Sequence, residues 1–328
     1  ELNADPFTRD RNAVAEDLLR KLPGVTVWGD GPITVNGKQV NQVLVEGKPF
    51  IGGDTRVAIQ NISKSAIDKI QVYQQEKSED HPRDSLTNVN IRLKKTKRFG
   101  HFGKIAAGDG TDSHYEADAN FNLFSPQTQI SFTAASNNIN KVARNAEQLL
   151  RNSTYKGVGA SIEYQPDFSM QGINHPNSGG VTFQHDFITD ADYYKNNRLT
   201  GNYFINNNNE KNFTNIKTIT SLGGDSTQEQ QSSNNNKSSG TTQQINTRYD
   251  KKKNNNTFYA SAGFTGSNNN NQYIQQSSVS TGGELQSTNK ASNAGQNIDK
   301  NISLQTGFQH NGDQYGVFAL PRNFNITY

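Results

Sequence analysis

The chain has 328 residues, of which 31% are hydrophobic, 9% aromatic and 19% charged, with a formal net charge of +3 and a mean hydropathy of −0.85. That apolar content is thin for the two ordinary cores such a length would suggest, and a small, scattered positive charge leaves no footprint for nucleic acid. The absence of cysteine excludes disulfides, thiolate zinc sites and thiol catalysis, and no stretch approaches the ~20 apolar residues of a membrane helix.

Residues 1–95 read as a small mixed α/β unit. In "NAVAEDLLRKLPGVTV" the residues Val14, Leu18, Leu19 and Leu22 fall at helical spacing behind an Asn12 cap, and Pro23-Gly24 end the helix. Short strands are expected over 25–28, 33–35 and 42–46, separated by turns at Gly29-Asp30-Gly31 and Asn36-Gly37. A second short helix over 55–61 and strands over "AIDKIQVYQ" and "VNIRLKK" complete it.

Beyond Lys97 the texture changes to strand, turn, strand. In "YEADANFNLFSPQTQISFTAA" the residues Tyr115, Ala117, Ala119, Phe121 and Leu123 share one face, while Glu116, Asp118, Asn120 and Asn122 share the other. After the Ser-Pro turn Ile130, Phe132 and Ala134 alternate with Gln129, Ser131 and Thr133, as in an antiparallel hairpin. The same alternation runs through "VGASIEYQ" with Ile162, "VTFQHDF" with Phe183, and "TFYASAGFTG". Very polar tracts lie between, among them Asn206–Asn209, Asn234–Asn236 and Asn268–Asn271, and are expected as strand extensions and loops. The apolar face has two candidate neighbours, a protein core as in a sandwich or lipid as in an outer-membrane barrel with a polar lumen. Lipid is the more economical, because a band about 25 Å tall needs apolar side chains on only part of each strand. The competing architecture is a repetitive β adhesin or solenoid.

Chemical motifs are sparse. Six histidines are scattered without ligand spacing, and His101 and His114 read as interfacial or loop residues. "GDGTD" at 108–112 reads as a hairpin turn rather than a calcium loop. Gly52-Gly53-Asp54 reads as a helix-start turn with Asp54 as cap in preference to an anion nest, and Lys251-Lys252-Lys253 as a solvated turn. No triad context, phosphate loop or paired-carboxylate site is present, so neither an enzyme nor a cofactor is expected.

The stretch "AEDLLRKLPGVTVWGDGPITVNGKQVNQVLVEGKPFIGGD" resembles the plug domain of TonB-dependent outer-membrane receptors. The residues that carry the resemblance are Leu22-Pro23-Gly24-Val25, Asn36-Gly37, the Val43–Val45 strand running into Gly47-Lys48-Pro49-Phe50, and Ile67-Asp68. "VNIRLKKTKRFGHFGKIAAGDGTD" is similar to the plug-to-barrel junction and first barrel strand. The resemblance implies an antiparallel barrel of roughly 22 strands in the whole family. Residues 1–95 would be a plug in its lumen and 96–328 the first part of its wall, in the outer membrane of a Gram-negative bacterium. Tyr115, Phe121, Phe132, Ile162 and Phe183 would then face lipid. TonB with its inner-membrane motor proteins would be the partner, with a surface lipoprotein lid or other outer-membrane subunits as further partners. The function implied is plug-gated, energised uptake of a bulky nutrient such as an iron chelate, a glycan or a peptide. The alternative is a non-transporting structural or docking subunit of a larger outer-membrane assembly. The loop bearing Gly47, Lys48, Phe50, Ile51, Gly53 and Asp54, with Phe50 and Ile51 exposed, is expected as a ligand-facing plug apex. Family members usually run longer, with an export signal and a TonB-engaging segment ahead of the plug, so the chain is expected to be a piece of a longer protein.

Overall fold

The computed structural model describes residues 2–3, 13–28, 32–50, 55–75, 86–153, 172–189, 195–224, 226–310 and 324–327. The amino-terminal part is built from β1 (Leu2–Asn3), α1 (Ala15–Leu19), β2 (Val25–Val27), β3 (Ile33–Val35), β4 (Lys38–Val45), β5 (Lys48–Pro49), α2 (Thr55–Asn61), β6 (Ile67–Gln75) and β7 (Leu86–Leu93). Its strands form one mixed sheet in the order β1-β6-β7-β4-β3-β2, with β5 on β4 and with β4 and β7 parallel. The cap of α1 is Val14, two residues after the expected Asn12, which lies outside the described residues, and the Val14 amide donates to Asp17 Oδ2 at 2.9 Å. β4 runs longer than the expected 42–46 because its first half pairs with β3 across the Asn36-Gly37 turn. Leu18, Leu19, Ile33, Val43, Ile59, Ile67, Ile70, Val89 and Ile91 make the core between the helices and the sheet.

Two stretches that sequence singles out meet here. Gly24 has φ +74, its carbonyl accepts from Asn36 N at 2.7 Å, and an added Cβ would run into Asn36 Oδ1. Asn36 and Gly37, with φ 49 and 77, form the left-handed turn between β3 and β4 that abuts it. Leu22 and Ile67 are core residues, whereas Asp68 is exposed at a register shift between β6 and β7. Gly24→Ala is therefore expected to cost about 1 to 3 kcal/mol. Trp28 is the single tryptophan of the chain and follows β2 directly, so its fluorescence in a urea titration reads that loss.

The rest of the described chain is β8 (Gly100–Asp109), β9 (Tyr115–Phe124), β10 (Thr128–Asn137), α3 (Ala146–Asn152), β11 (Ile173–Asp186), β12 (Lys195–Gly223), β13 (Ser226–Lys253), β14 (Asn256–Thr281), β15 (Glu284–His310) and β16 (Phe324–Thr327). These strands form a nine-stranded antiparallel sheet in chain order, β8 to β16. The sheet has two unlike ends. Short turns at Ser125–Gln127 and Asn254-Asn255 close one end. At the other end β12 to β15, each 26 to 29 residues long, rise as two tall hairpins. Gly282-Gly283 closes the second hairpin with φ 59 and 87, as a tight two-residue turn between long strands requires. All three Asn-rich tracts lie inside these tall strands rather than in irregular loops. Ile162 lies outside the described residues.

The expected exposure of Phe50 is corrected. Phe50 is 1% exposed and stacks on Phe102 of β8 with ring centroids 6.1 Å apart, and Phe102 meets Phe124 of β9 at 5.9 Å. Phe50 joins the core cluster of the amino-terminal part, and the ring that covers it belongs to β8, about fifty positions later, with no local mark in the loop itself. Gly47 keeps φ +81 in the β4–β5 turn; Ile51, Gly53 and Asp54 lie outside the described residues.

Candidate functional site

Directly paired residues of antiparallel strands point to the same side of a sheet, so the register defines two faces. One row runs Phe121, Phe132, Val181, Tyr203, Ile245, Phe264, Ile302, from β9 to β15. The row one residue away, on the opposite face, runs Asn122, Ser131, Thr182, Asn202, Asn246, Gly263, Ser303. The apolar face is the exposed one. Phe121 is 43%, Phe132 44% and Ile302 71% exposed, while Asp118, Asn120, Asn122, Ser131 and Asp186 on the opposite face are all buried. Tyr115 is exposed on the apolar face. Phe183 shares that face but is half-buried, its ring lying over the bare backbone of Gly201 on β12.

The apolar rows are confined in height. On β12 they run from Leu199 to Ile205 and on β14 from Phe258 to Phe264, about 20 Å of strand at ~3.4 Å per residue. Phe187, Tyr249 and Phe258 form a chain of aromatic contacts, each 6.2 Å from the next, at the short-turn edge of this belt. Beyond Asn206 the continuous belt stops, and β12 runs on for roughly 50 to 60 Å at the same rise as a mostly polar strand with Phe213, Ile216, Ile219 and Leu222 as spaced, exposed apolar residues.

The amino-terminal unit lies against the buried polar face. Lys48 Nζ reaches Asp186 Oδ2 at 3.2 Å and donates to the carbonyls of Pro126 at 3.1 Å and Ile188 at 3.4 Å. Asp186 also pairs with Arg198 at 2.7 Å, and Gln184 Nε2 donates to Pro49 O at 3.4 Å. Beside them Glu46 accepts from Leu93 N at 2.6 Å and faces Arg92 and Arg98. Lys104 of β8 donates to Gln60 O, near the carboxyl end of α2, at 2.6 Å, where a cation suits the helix dipole. The contacts combine charge pairs with an apolar stack, Phe50 on Phe102, that sequence does not foreshadow.

Pro126 lies in the β9–β10 turn and Ile188 just after the end of β11, so Gly47 to Phe50 sit at the end of the sheet opposite the tall hairpins. β4 runs parallel to β7, and β7 ends where the chain crosses to β8, so the β4–β5 turn is carried to the base.

A second inward element was not expected from sequence. After β10, residues 138–153 turn back over the polar face, where Ala143 and, from α3, Ala146 and Leu149 pack on Phe204 of β12 and beside Gly180 of β11. The sequence does carry its signature, since Asn145 Oδ1 caps Gln148 N at 2.8 Å ahead of Leu149-Leu150. Between α3, Pro49 and the floor of β11 to β15 lies an open cleft of about 470 Å³, lined by Glu147, Thr200, Asn202, Arg248 and Ser261 among others. Arg248 in this cleft pairs with Asp250 at 2.8 Å and lies over the Tyr259 ring. Among the described residues no cluster of His, Asp and Glu is arranged to hold a metal, and no helix is long and apolar enough to cross a membrane.

No family model matches the chain, and no curated protein matches it. Among solved structures it is similar to the copper transporter OprC, at 10% identity and TM-score 0.22, covering 95% of this chain and 61% of that one. It is similar to the ferric yersiniabactin uptake receptor FyuA from Yersinia pestis, at 10% identity and TM-score 0.22, covering 94% and 61%. The siderophore receptor PirA from Pseudomonas aeruginosa follows at 13% identity and TM-score 0.24, covering 94% and 54%. The chain thus spans less than two thirds of each of these proteins. Similarity at this level assigns no activity.

Proposed function

We propose that the nine-stranded sheet is part of the wall of an outer-membrane β-barrel, that the amino-terminal unit is its plug, and that the protein is a TonB-dependent receptor. It would take up a bulky nutrient such as an iron chelate, a glycan or a peptide. The observation that carries this reading is the inverted sheet, with apolar side chains exposed in a belt of limited height and polar side chains buried beneath the amino-terminal unit. In water such a face would aggregate, whereas lipid makes it the stable side. The sequence resemblance at Leu22–Val25, Asn36-Gly37 and Ile67-Asp68 supplies the family. In this reading the short turns face the periplasm and the tall hairpins rise outside the cell.

A second reading, a permanently sealed docking subunit, is favoured by the buried Lys48–Asp186 pair that fixes the plug to the wall. Uptake by expressing cells of a panel of radiolabelled ferric chelates, oligosaccharides and peptides separates the two. Accumulation of a panel member that disappears without TonB is the expected result, and insertion of the chain with no TonB-dependent accumulation supports the seal instead.

Sidedness has its own check. An epitope tag inserted between Asn235 and Asn236, inside the tall part of β13, should bind antibody on intact cells. Labelling that requires a permeabilised outer membrane would reverse the orientation.

A further inference from the structure

Resting on the barrel reading above, we propose that the β10–β11 connection through Ser153 is a fixed constriction carried by the wall. Solutes that pass when the plug moves would then still have to travel between α3 and the floor of β12 to β15. The bonds that hold the segment lead to the wall. Lys141, 4% exposed, donates to Asp118 Oδ2 at 2.5 Å and also to Glu116, both on β9. Asn137 of β10 receives Lys141 N at 3.1 Å and donates to Lys141 O at 2.9 Å, which closes the turn. Asn140 Oδ1 accepts Asn174 N of β11 at 2.8 Å, and Gln244 of β13 donates to Arg144 O at 3.1 Å. α3 itself packs on Phe204, with an ideal Cβ on Gly180 only 3.7 Å from Ala146 Cβ. Toward the plug it presents Leu150, which joins the plug's core cluster.

An element attached in this way to five strands, β9 to β13, stays with them when a neighbour held through Leu150 is withdrawn, because the two charge-assisted bonds of the buried Lys141 and the neutral hydrogen bonds of Asn137, Asn140 and Arg144 would have to break for it to follow. What α3 then offers to the cleft is Glu147, an exposed carboxylate across from Thr200, Asn202 and Arg248. The passage beside the plug would be bounded by one acidic side chain on α3 and by amides, hydroxyls and a guanidinium on the wall.

These 328 residues contain no cysteine, so with any cysteine elsewhere in the full-length protein replaced by serine the test is direct. In the full-length protein, Ala146→Cys with Gly180→Cys places two Cβ atoms at the ~3.8 Å typical of a disulfide, and mild oxidation should close the bond. The rate of closure should survive Leu150→Asn, which weakens the plug contact, and fall several-fold with Lys141→Gln, which releases the wall clamp. The opposite ranking overturns the proposal. Conductance in planar bilayers adds a functional reading, taken while urea unfolds the plug as reported by Trp28. Oxidised and reduced chains should conduct equally, within about twofold, and Glu147→Lys should shift the pore away from cations. A several-fold larger conductance in the reduced chain would mean that α3 leaves with the plug, and would overturn the fixed constriction alone. A chain that cross-links but conducts in no state defeats the barrel reading, and with it the passage that α3 is proposed to narrow.

Discussion

Phe132→Arg is expected to destabilise the sheet in a lipid bilayer by about 2 to 4 kcal/mol, the cost of a guanidinium on the lipid face near the midplane. Phe132 pairs with Phe121 and Val181 in the middle of the apolar belt, and its ring is exposed on that face. Phe213→Arg is the matched control. Phe213 is also an exposed aromatic on the same face, 63% exposed, but it lies on β12 well beyond the point where the belt ends. Its replacement should change stability by no more than about 0.5 kcal/mol, as at an ordinary surface site. Equilibrium unfolding from lipid vesicles measures both. Equal effects at the two positions would mean that the belt has no special solvent.

The second large effect belongs to Asp186. Its carboxylate, 1% exposed, is shared between Lys48 of the amino-terminal unit and Arg198 of β12. Asp186→Ala leaves two cations facing each other in a buried site, and removing one partner of a buried pair costs about 3 to 5 kcal/mol. Lys48→Met is milder, since Asp186 keeps Arg198 and the aliphatic stem keeps its packing. Trp28 fluorescence in urea reads the release of the amino-terminal unit for both variants. A midpoint for Asp186→Ala no lower than that for Lys48→Met would show that the pair does not hold the unit to the wall.

What could be read from sequence follows from the range of the interactions involved. The strand faces at 115–134 were legible because alternation with period two is local and needs only the residues themselves. The short strand at Ile33–Val35, the turn at Asn36-Gly37 and the helix at Thr55–Asn61 were legible for the same reason. The Asn-rich tracts declared their polarity but not that they stay in register within strands of 26 to 29 residues, because the pairing that keeps them straight is with neighbouring strands. Phe50 was misjudged because an apolar residue at a turn carries no mark of the partner that buries it. Lys48 lies in β5, and its partner Asp186 lies far along the chain with nothing local to join them. α3 does not stand out in the sequence because about two turns of helix have too short an apolar period, although Asn145 marks its start.

The most direct test of the central claim is a scan of single cysteines, spin-labelled in lipid vesicles, with collision rates measured against a lipid-soluble and a water-soluble relaxer. The chain's lack of native cysteine makes each label unique. The inverted barrel wall predicts that labels at Phe121, Phe132, Val181, Ala262 and Leu304 meet the lipid-soluble relaxer, while those at Asn120, Thr133, Thr182, Ser261 and Ser303 are shielded from it. It predicts further that the alternation gives way to water on both faces by Asn268–Asn271. Uniformly shielded apolar positions, as in a closed protein core, or an alternation in the opposite sense, would contradict it.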